Sequence, residues 1–156
     1  MRRHVFDDID WKIISHLQKD GRRPYTAIAK DLGISEAGVR QRVARLIKSK
    51  VIQIVATSNP GDLGLLQAQF TIEVAGDRLQ AVADAMAALP EVDYVAMVAG
   101  AFDLHVGIVC RDREELQRIL VEKIRPIPGV LHSEVFLVLR VLKDVYQWTP
   151  SGHPQE

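Results

Sequence analysis

The chain has 156 residues, 47% of them apolar and 26% charged, with no net charge at pH 7. That is the balance of a globular protein. No apolar run approaches the ~20 residues that span a bilayer, and Asp7 and Asp8 follow Arg2 and Arg3 too closely to leave room for a secretory signal. The single cysteine, Cys110, excludes an internal disulfide and a cysteine-based zinc cluster, so the expected location is the cytoplasm with no membrane attachment.

The neutral total hides an asymmetry. Residues 1–58 carry 12 Lys plus Arg against 6 Asp plus Glu, a net of +6, and residues 59–156 carry 8 against 14, a net of −6. A basic segment joined to an acidic one points to a first part that faces phosphates and a second that does not. The expected domains are a basic unit at 1–50, a linker at 51–63, a second domain at 64–145 and a tail at 146–156.

In chain order, Ile9, Ile13, Ile14 and Leu17 have helical spacing, with Asp8 or Asp10 placed to cap the start and Asp20-Gly21 to stop it. Pro24 suits the start of a second helix through Thr26, Ile28, Ala29 and Leu32, which Gly33 ends. Ser35 is a good N-cap for a third helix reaching about Lys48. Two helices joined by a tight Gly-containing turn make a helix-turn-helix.

The third helix reads face by face. Val39, Val43, Leu46 and Ile47 form the stripe expected to pack inward, and Ala37, Gln41, Ala44, Arg45 and Lys48 lie opposite, with Arg40 and Arg42 at the flanks. Small residues allow close approach to a major groove, Gln41 suits adenine, and an Arg suits guanine or phosphate. The DNA-binding set is therefore Ser35, Glu36, Ala37, Arg40, Gln41, Arg42, Arg45 and Lys48. A merely solvated basic face is the competing reading, and the preceding turn and the basic segment weigh against it. Residues 51–55 read as a short β-strand. Arg2, Arg3 and His4 suit the DNA backbone or minor groove and equally suit a disordered terminus.

Asn59-Pro60-Gly61-Asp62 is a turn cluster, followed by Leu66, Ala68, Phe70, Ile72 and Val74 alternating with polar residues as in a strand with one buried face. Asp77 is expected to cap a helix carrying Leu79, Val82, Ala83 and Met86, closed by Leu89-Pro90. Strands follow at 92–99 and 102–110, joined by a tight turn in which Gly100 takes a positive backbone angle. Phe102, Leu104, Val106, Ile108 and Cys110 share one face of the latter strand, with Cys110 a core residue. Asp112 with Glu115 marks the start of a second helix, with a stripe of Leu116, Ile119, Leu120 and Ile124 ended by Pro126 and Pro128-Gly129. A last strand is expected at 133–142.

The order strand-helix-strand-strand-helix-strand is ferredoxin-like, so the fold class is α+β: a helix-turn-helix, a short β-ribbon linker and a βαββαβ domain. The last strand is apolar on both sides, which in so small a domain calls for a second copy, a homodimer through the sheet. The tail reads as flexible, or as docking Trp148 on a neighbour. His4, His16, His105, His132 and His153 show no metal spacing, no Gly-rich loop follows a strand, and Ser, His and Asp form no motif. No catalytic residue, metal or cofactor is expected. An enzyme or a pure sensor would share the second domain but not need the basic unit.

These residues, in this order, resemble the Lrp/AsnC regulators over nearly the whole chain. The matching stretches are Asp10 with Leu17 and Asp20-Gly21-Arg22, then Leu32-Gly33-Ile34-Ser35, Arg42-Val43-Ala44-Arg45-Leu46 and Val51-Ile52. Asn59-Pro60 lies at the linker, Gly100-Ala101-Phe102-Asp103 matches a Gly-x-aromatic-Asp turn, and Pro128-Gly129-Val130 precedes the last strand. The resemblance implies a RAM-type regulatory domain that dimerises through its sheet, dimers assembling to tetramers or octamers, and amino-acid effectors bound near Gly100, Ala101, Phe102, Asp103 and His105. Backbone amides there can receive a carboxylate and Asp103 an ammonium. The plainer alternatives are that Gly100 makes the hairpin, Asp103 caps it and His105 is an interface histidine. Two departures stand out: Lys50 replaces the usual Gly before Val-Ile, which predicts a different turn, and Phe102 replaces a frequent Tyr. The function implied is sequence-specific, effector-responsive transcriptional regulation, against the alternative of an architectural DNA-binding protein with little effector response.

Overall fold

In a computed structural model of the chain, residues 6–144 are described, and Arg2, Arg3, His4 and Trp148, for which the sequence raised expectations, lie outside them. The described residues fall into two compact units, 6–57 with 143–144, and 58–142.

The first unit has three helices, α1 (Asp8–Lys19), α2 (Tyr25–Leu32) and α3 (Glu36–Lys48). The cap of α1 is Asp7 rather than Asp8 or Asp10. Its side chain accepts from the Asp10 amide while the Asp10 side chain accepts from the Asp7 amide, a reciprocal capping box. α2 begins after Pro24 and ends at Gly33, whose φ of 65° is the left-handed conformation glycine adopts freely. Ser35 caps α3 through a hydrogen bond from the Gly38 amide. Ile13, Ile28, Ala29, Val39, Val43 and Leu46 form the core. Ile47, expected in that stripe, is exposed at its edge.

α3 closes with the amide of Lys50 on the Ile47 carbonyl and that of Val51 on the Leu46 carbonyl. This is the pairing of a Schellman motif, which wants a left-handed residue after the cap. Lys50 supplies it with φ 58°. The replacement of glycine by lysine thus keeps the left-handed turn instead of changing it. Beyond it, residues 51–55 are not a strand, and among the described residues no segment pairs with them as a strand requires. An apolar cavity of about 430 Å³ lies between this segment and α1, walled by Trp11, Ile14, Leu17, Ile52 and Ile54.

The second unit opens with a 3-10 turn (Pro60–Leu63) and continues as β1 (Leu66–Val74), α4 (Leu79–Ala87), β2 (Val92–Met97), β3 (Leu104–Cys110), α5 (Arg113–Arg118) and β4 (Val130–Leu137). The sheet order is β2-β3-β1-β4 and every pair is antiparallel. Phe70 at its centre pairs with Val106 on one side and Val135 on the other. Ala68, Phe70, Ile72, Leu104, Val106 and Ile108 pack against Val82, Ala83 and Met86 of α4 and Ile119 and Ile124, so both helices cover one face. Cys110 joins this core, and burial pushes its thiol pKa up.

α5 runs into a π-helical turn (Ile119–Ile124), in which the Arg125 amide reaches the Leu120 carbonyl at 3.0 Å. On a regular α-helix Ile119 and Ile124 would lie about 140° apart. Widening the turn lets both be fully buried. Asp112 caps α5 by accepting from the Glu115 amide, and Glu115 reaches back to the amide and guanidinium of Arg111.

Several boundaries differ from the sequence reading. α4 starts after Arg78 with no side-chain cap, so Asp77 does not cap it. β2 and β3 are shorter at the turn between them, and Gly100 does not take a positive φ. β4 lies at 130–137 instead of 133–142. It starts early because Gly129, at φ 109°, turns the chain onto β1. It stops at Leu137 because β1 begins at Leu66, and the Val138 amide on the Gln67 carbonyl is the last available rung. Leu139, Val141 and Leu142 are left exposed.

Candidate nucleic-acid interface

The outward face of α3 is as its periodicity requires. Ala37, Gln41, Ala44, Arg45 and Lys48 are exposed along one side, and Ser35 is exposed at the N-terminal end. The three arginines of α3 are tied down. Glu36 accepts from Arg40 at 2.6 Å, and the Arg40 guanidinium lies 5.4 Å from the Tyr25 ring centre. Arg42 donates to Asp7 at 2.7 and 2.9 Å and to Asp10 at 2.8 Å. Arg45 donates to both oxygens of Asp10 at 2.7 and 2.6 Å. The backbone hydrogen bond from Asp10, followed by the Arg42 guanidinium, holds the Asp7 carboxyl below its usual range. The carboxylates of Asp7 and Asp10 raise Arg42 in turn. Lys48 has no acidic partner among the described residues.

Asp10 was not among the expected site residues. It is 1% exposed and is the one buried charged residue among those described. Its signal was present in the sequence, since an aspartate in the same turn as Ile9 and Ile13 needs a partner to be buried.

The residues expected to hold an effector sit at the far end of β2 and β3 from β2's entry. Gly100 and Ala101 are exposed, and Phe102, Asp103 and His105 are half-buried. The Asp103 carboxylate accepts from the Val74 amide at 2.8 Å, and its own amide donates to Ile72 at 3.0 Å, tying the turn to the end of β1. His105 lies edge-on to Tyr94, with ring centres 5.7 Å apart. Gly107, two residues on, is buried where a Cβ would come within 2.6 Å of the Asp93 side chain, at a bulge between Val92 and Tyr94. Among the described residues no group of three or more His, Cys, Asp or Glu is arranged to hold a metal, and no helix is long and apolar enough to cross a membrane.

Residues 6–47 match the AsnC-type helix-turn-helix domain, and residues 67–148 match the Lrp/AsnC ligand binding domain. The chain belongs to the Lrp/AsnC family. It is 36% identical over 144 residues to the HTH-type transcriptional regulator FL11 of Pyrococcus furiosus, covering 91% of this chain and 95% of the relative. It is 30% identical over 149 residues to the proline dehydrogenase transcriptional activator of Rhizobium radiobacter, covering 90% and 96%. Among solved structures, AsnC of E. coli superposes with a TM-score of 0.77 at 22% identity, covering 90% of this chain and 97% of the other. A regulator of Neisseria meningitidis in complex with L-Met superposes with a TM-score of 0.79 at 21% identity, covering 93% and 97%. This Lrp/AsnC protein is a transcriptional regulator and not an enzyme, and it combines a helix-turn-helix with a ligand-binding domain on an α+β antiparallel sheet.

Proposed function

We propose that this regulator binds duplex DNA sequence-specifically as a homodimer or higher assembly, and that a small effector of the amino-acid class modulates that binding. The observation that carries the reading is the exposed row Ala37, Gln41, Arg45 and Lys48 on a helix capped at both ends and anchored by Val39, Val43 and Leu46. Ala37 permits close approach, Gln41 and Arg45 contact base edges, Lys48 and Ser35 set the docking on the backbone, and Arg40 and Arg42, paired with Glu36 and with Asp7 and Asp10, flank that row. The effector site is the turn from Gly100 to Asp103 with His105 beside it. Its exposed backbone amides and the Asp103 carboxylate suit an ammonium and a carboxylate on one small molecule. The relative crystallised with L-Met supports that chemical class. The assembly is supported by the exposed Tyr94 and Phe136 on the helix-free side of the sheet. Such a regulator acts where the chromosome lies, which in bacteria and archaea is the cytoplasm.

The test is binding of the purified protein to a duplex selected from a random pool, against a random duplex of equal length at physiological salt, with and without each amino acid. A preference of ~10³ or more marks a specific regulator. A ratio near one, with no effector response, favours an architectural protein, and absence of salt-sensitive binding to any duplex ends the DNA-binding reading.

A further inference from the structure

The ion cluster joining α1 to α3 does more than hold two helices together. Burying a carboxylate costs several kcal/mol, and packing apolar side chains in its place is often neutral or stabilising. Asp10 is nonetheless buried, and both of its oxygens are committed to guanidinium groups that come from α3. Two acids, Asp7 and Asp10, thus neutralise two arginines, Arg42 and Arg45, on the helix whose outward side carries the DNA-contacting row. Arg40 is offset by Glu36 in the same way. The three arginines of α3 are therefore compensated, although residues 1–58 carry a net charge of +6. Arg45 meets Asp10 through Nη2 alone, and its side chain is 54% exposed. Its Nε and Nη1 donors remain, held in one direction.

Resting on the DNA-binding reading above, we propose that Asp10, backed by Asp7, is a specificity-determining positioning residue of the DNA interface. It withdraws Arg42 and Arg45 from indiscriminate attraction to phosphate and fixes the direction in which Arg45 meets a base edge. The device trades general affinity for discrimination. An arginine free to swing finds a phosphate on any sequence, whereas one held by a carboxylate gains most where a matching acceptor pair stands opposite it.

The test compares Asp10→Asn and Asp7→Asn with the parent on a duplex selected by the parent and on a random duplex of equal length, across a salt series. Thermal unfolding of the full-length protein monitors the fold. Asp10→Asn should tighten random-duplex binding several-fold and steepen its log–log salt dependence by about one to two, the slope expected when one or two more phosphates are neutralised. The ratio of selected to random affinity should fall about tenfold or more, since each good base contact is worth about 1–3 kcal/mol. Asp7→Asn, at an exposed position, keeps the fold and loosens Arg42, which Asp10 still holds, so it should steepen the slope by less than Asp10→Asn does, by at most about one. In an Arg45→Ala background, Asp10→Asn should leave the ratio almost unchanged, because the pair acts as a unit. Equal weakening on both duplexes with an unchanged slope would show that Asp10 serves only the fold and overturn the proposal, as would additive effects in the double variant. A parent protein that binds no duplex would instead defeat the DNA-binding reading itself.

Discussion

Individual residues carry consequences in opposite directions. Lys50 holds a left-handed conformation that costs a non-glycine residue about 1–2 kcal/mol. Lys50→Gly relieves that strain and gives back part of the gain as unfolded-state entropy. The expected net is a stabilisation of about 1 kcal/mol, read as a higher denaturant midpoint at unchanged slope. Gly129 is the reverse case. Its φ is 109°, and a Cβ there would lie 2.7 Å from the Arg78 Cβ. Gly129→Ala combines backbone strain with overpacking and should cost at least about 2 kcal/mol. Gly100 is different again, with an ordinary φ and nothing within 4 Å of where its Cβ would stand. Gly100→Ala should therefore leave stability within about 0.5 kcal/mol. Should the effector approach this backbone closely, the same variant loses the amino-acid response, and a parental response would remove Gly100 from the site.

Helices and strands respond through their ends and faces. At the start of α5 the Glu115 carboxyl is lowered from 4.5 to about 2, first by the side-chain hydrogen bond from Arg111 and then by the Arg111 amide. A lowered carboxylate contributes stability that is complete above pH 4.5 and is lost as the pH falls toward 2. Glu115→Gln should accordingly unfold more easily than the parent at neutral pH, with the gap closing across that acid window. On α3, Leu46 is fully buried and Leu46→Ala should cost about 2–4 kcal/mol, whereas the exposed Ile47 should lose far less. The contrast shows what the sequence could reveal. Period 3.6 placed Val39, Val43 and Leu46 inward and Gln41, Arg45 and Lys48 outward, and period two placed Phe70, Ile72, Leu104 and Val106 on the covered face of the sheet. What periodicity could not resolve was which apolar residue lies at the stripe's edge, as with Ile47, or how far a strand extends. β4 ends where β1 runs out of partners, a fact about pairing between segments far apart in the chain. The Asp10 clamp escaped the sequence reading for the same reason, because its partners are 32 and 35 residues away.

For the whole molecule, the decisive quantity is the apolar surface that a single chain leaves uncovered. Phe136 is 50% exposed and pairs across the sheet with Gln69, on the side that bears no helices. Tyr94 shares that side, and Leu139, Val141 and Leu142, which follow β4, are exposed. A monomer seldom leaves so many large apolar side chains in water on one face, and symmetric association through a sheet face covers them on both copies at once. Phe136→Asp places a charge at the centre of that contact while leaving the helix-covered core untouched. Its mass by light scattering should fall from that of at least two chains to that of one, with secondary structure retained. DNA affinity should fall with it, because linking two recognition helices makes the second contact intramolecular and can add a factor of about 10²–10⁴. At high protein concentration the variant should still bind a single half-site, since α3 and its clamp are unaltered. A variant that remains dimeric would remove the sheet face as the assembly surface, and a monomeric variant with parental affinity would show that assembly contributes nothing to DNA binding.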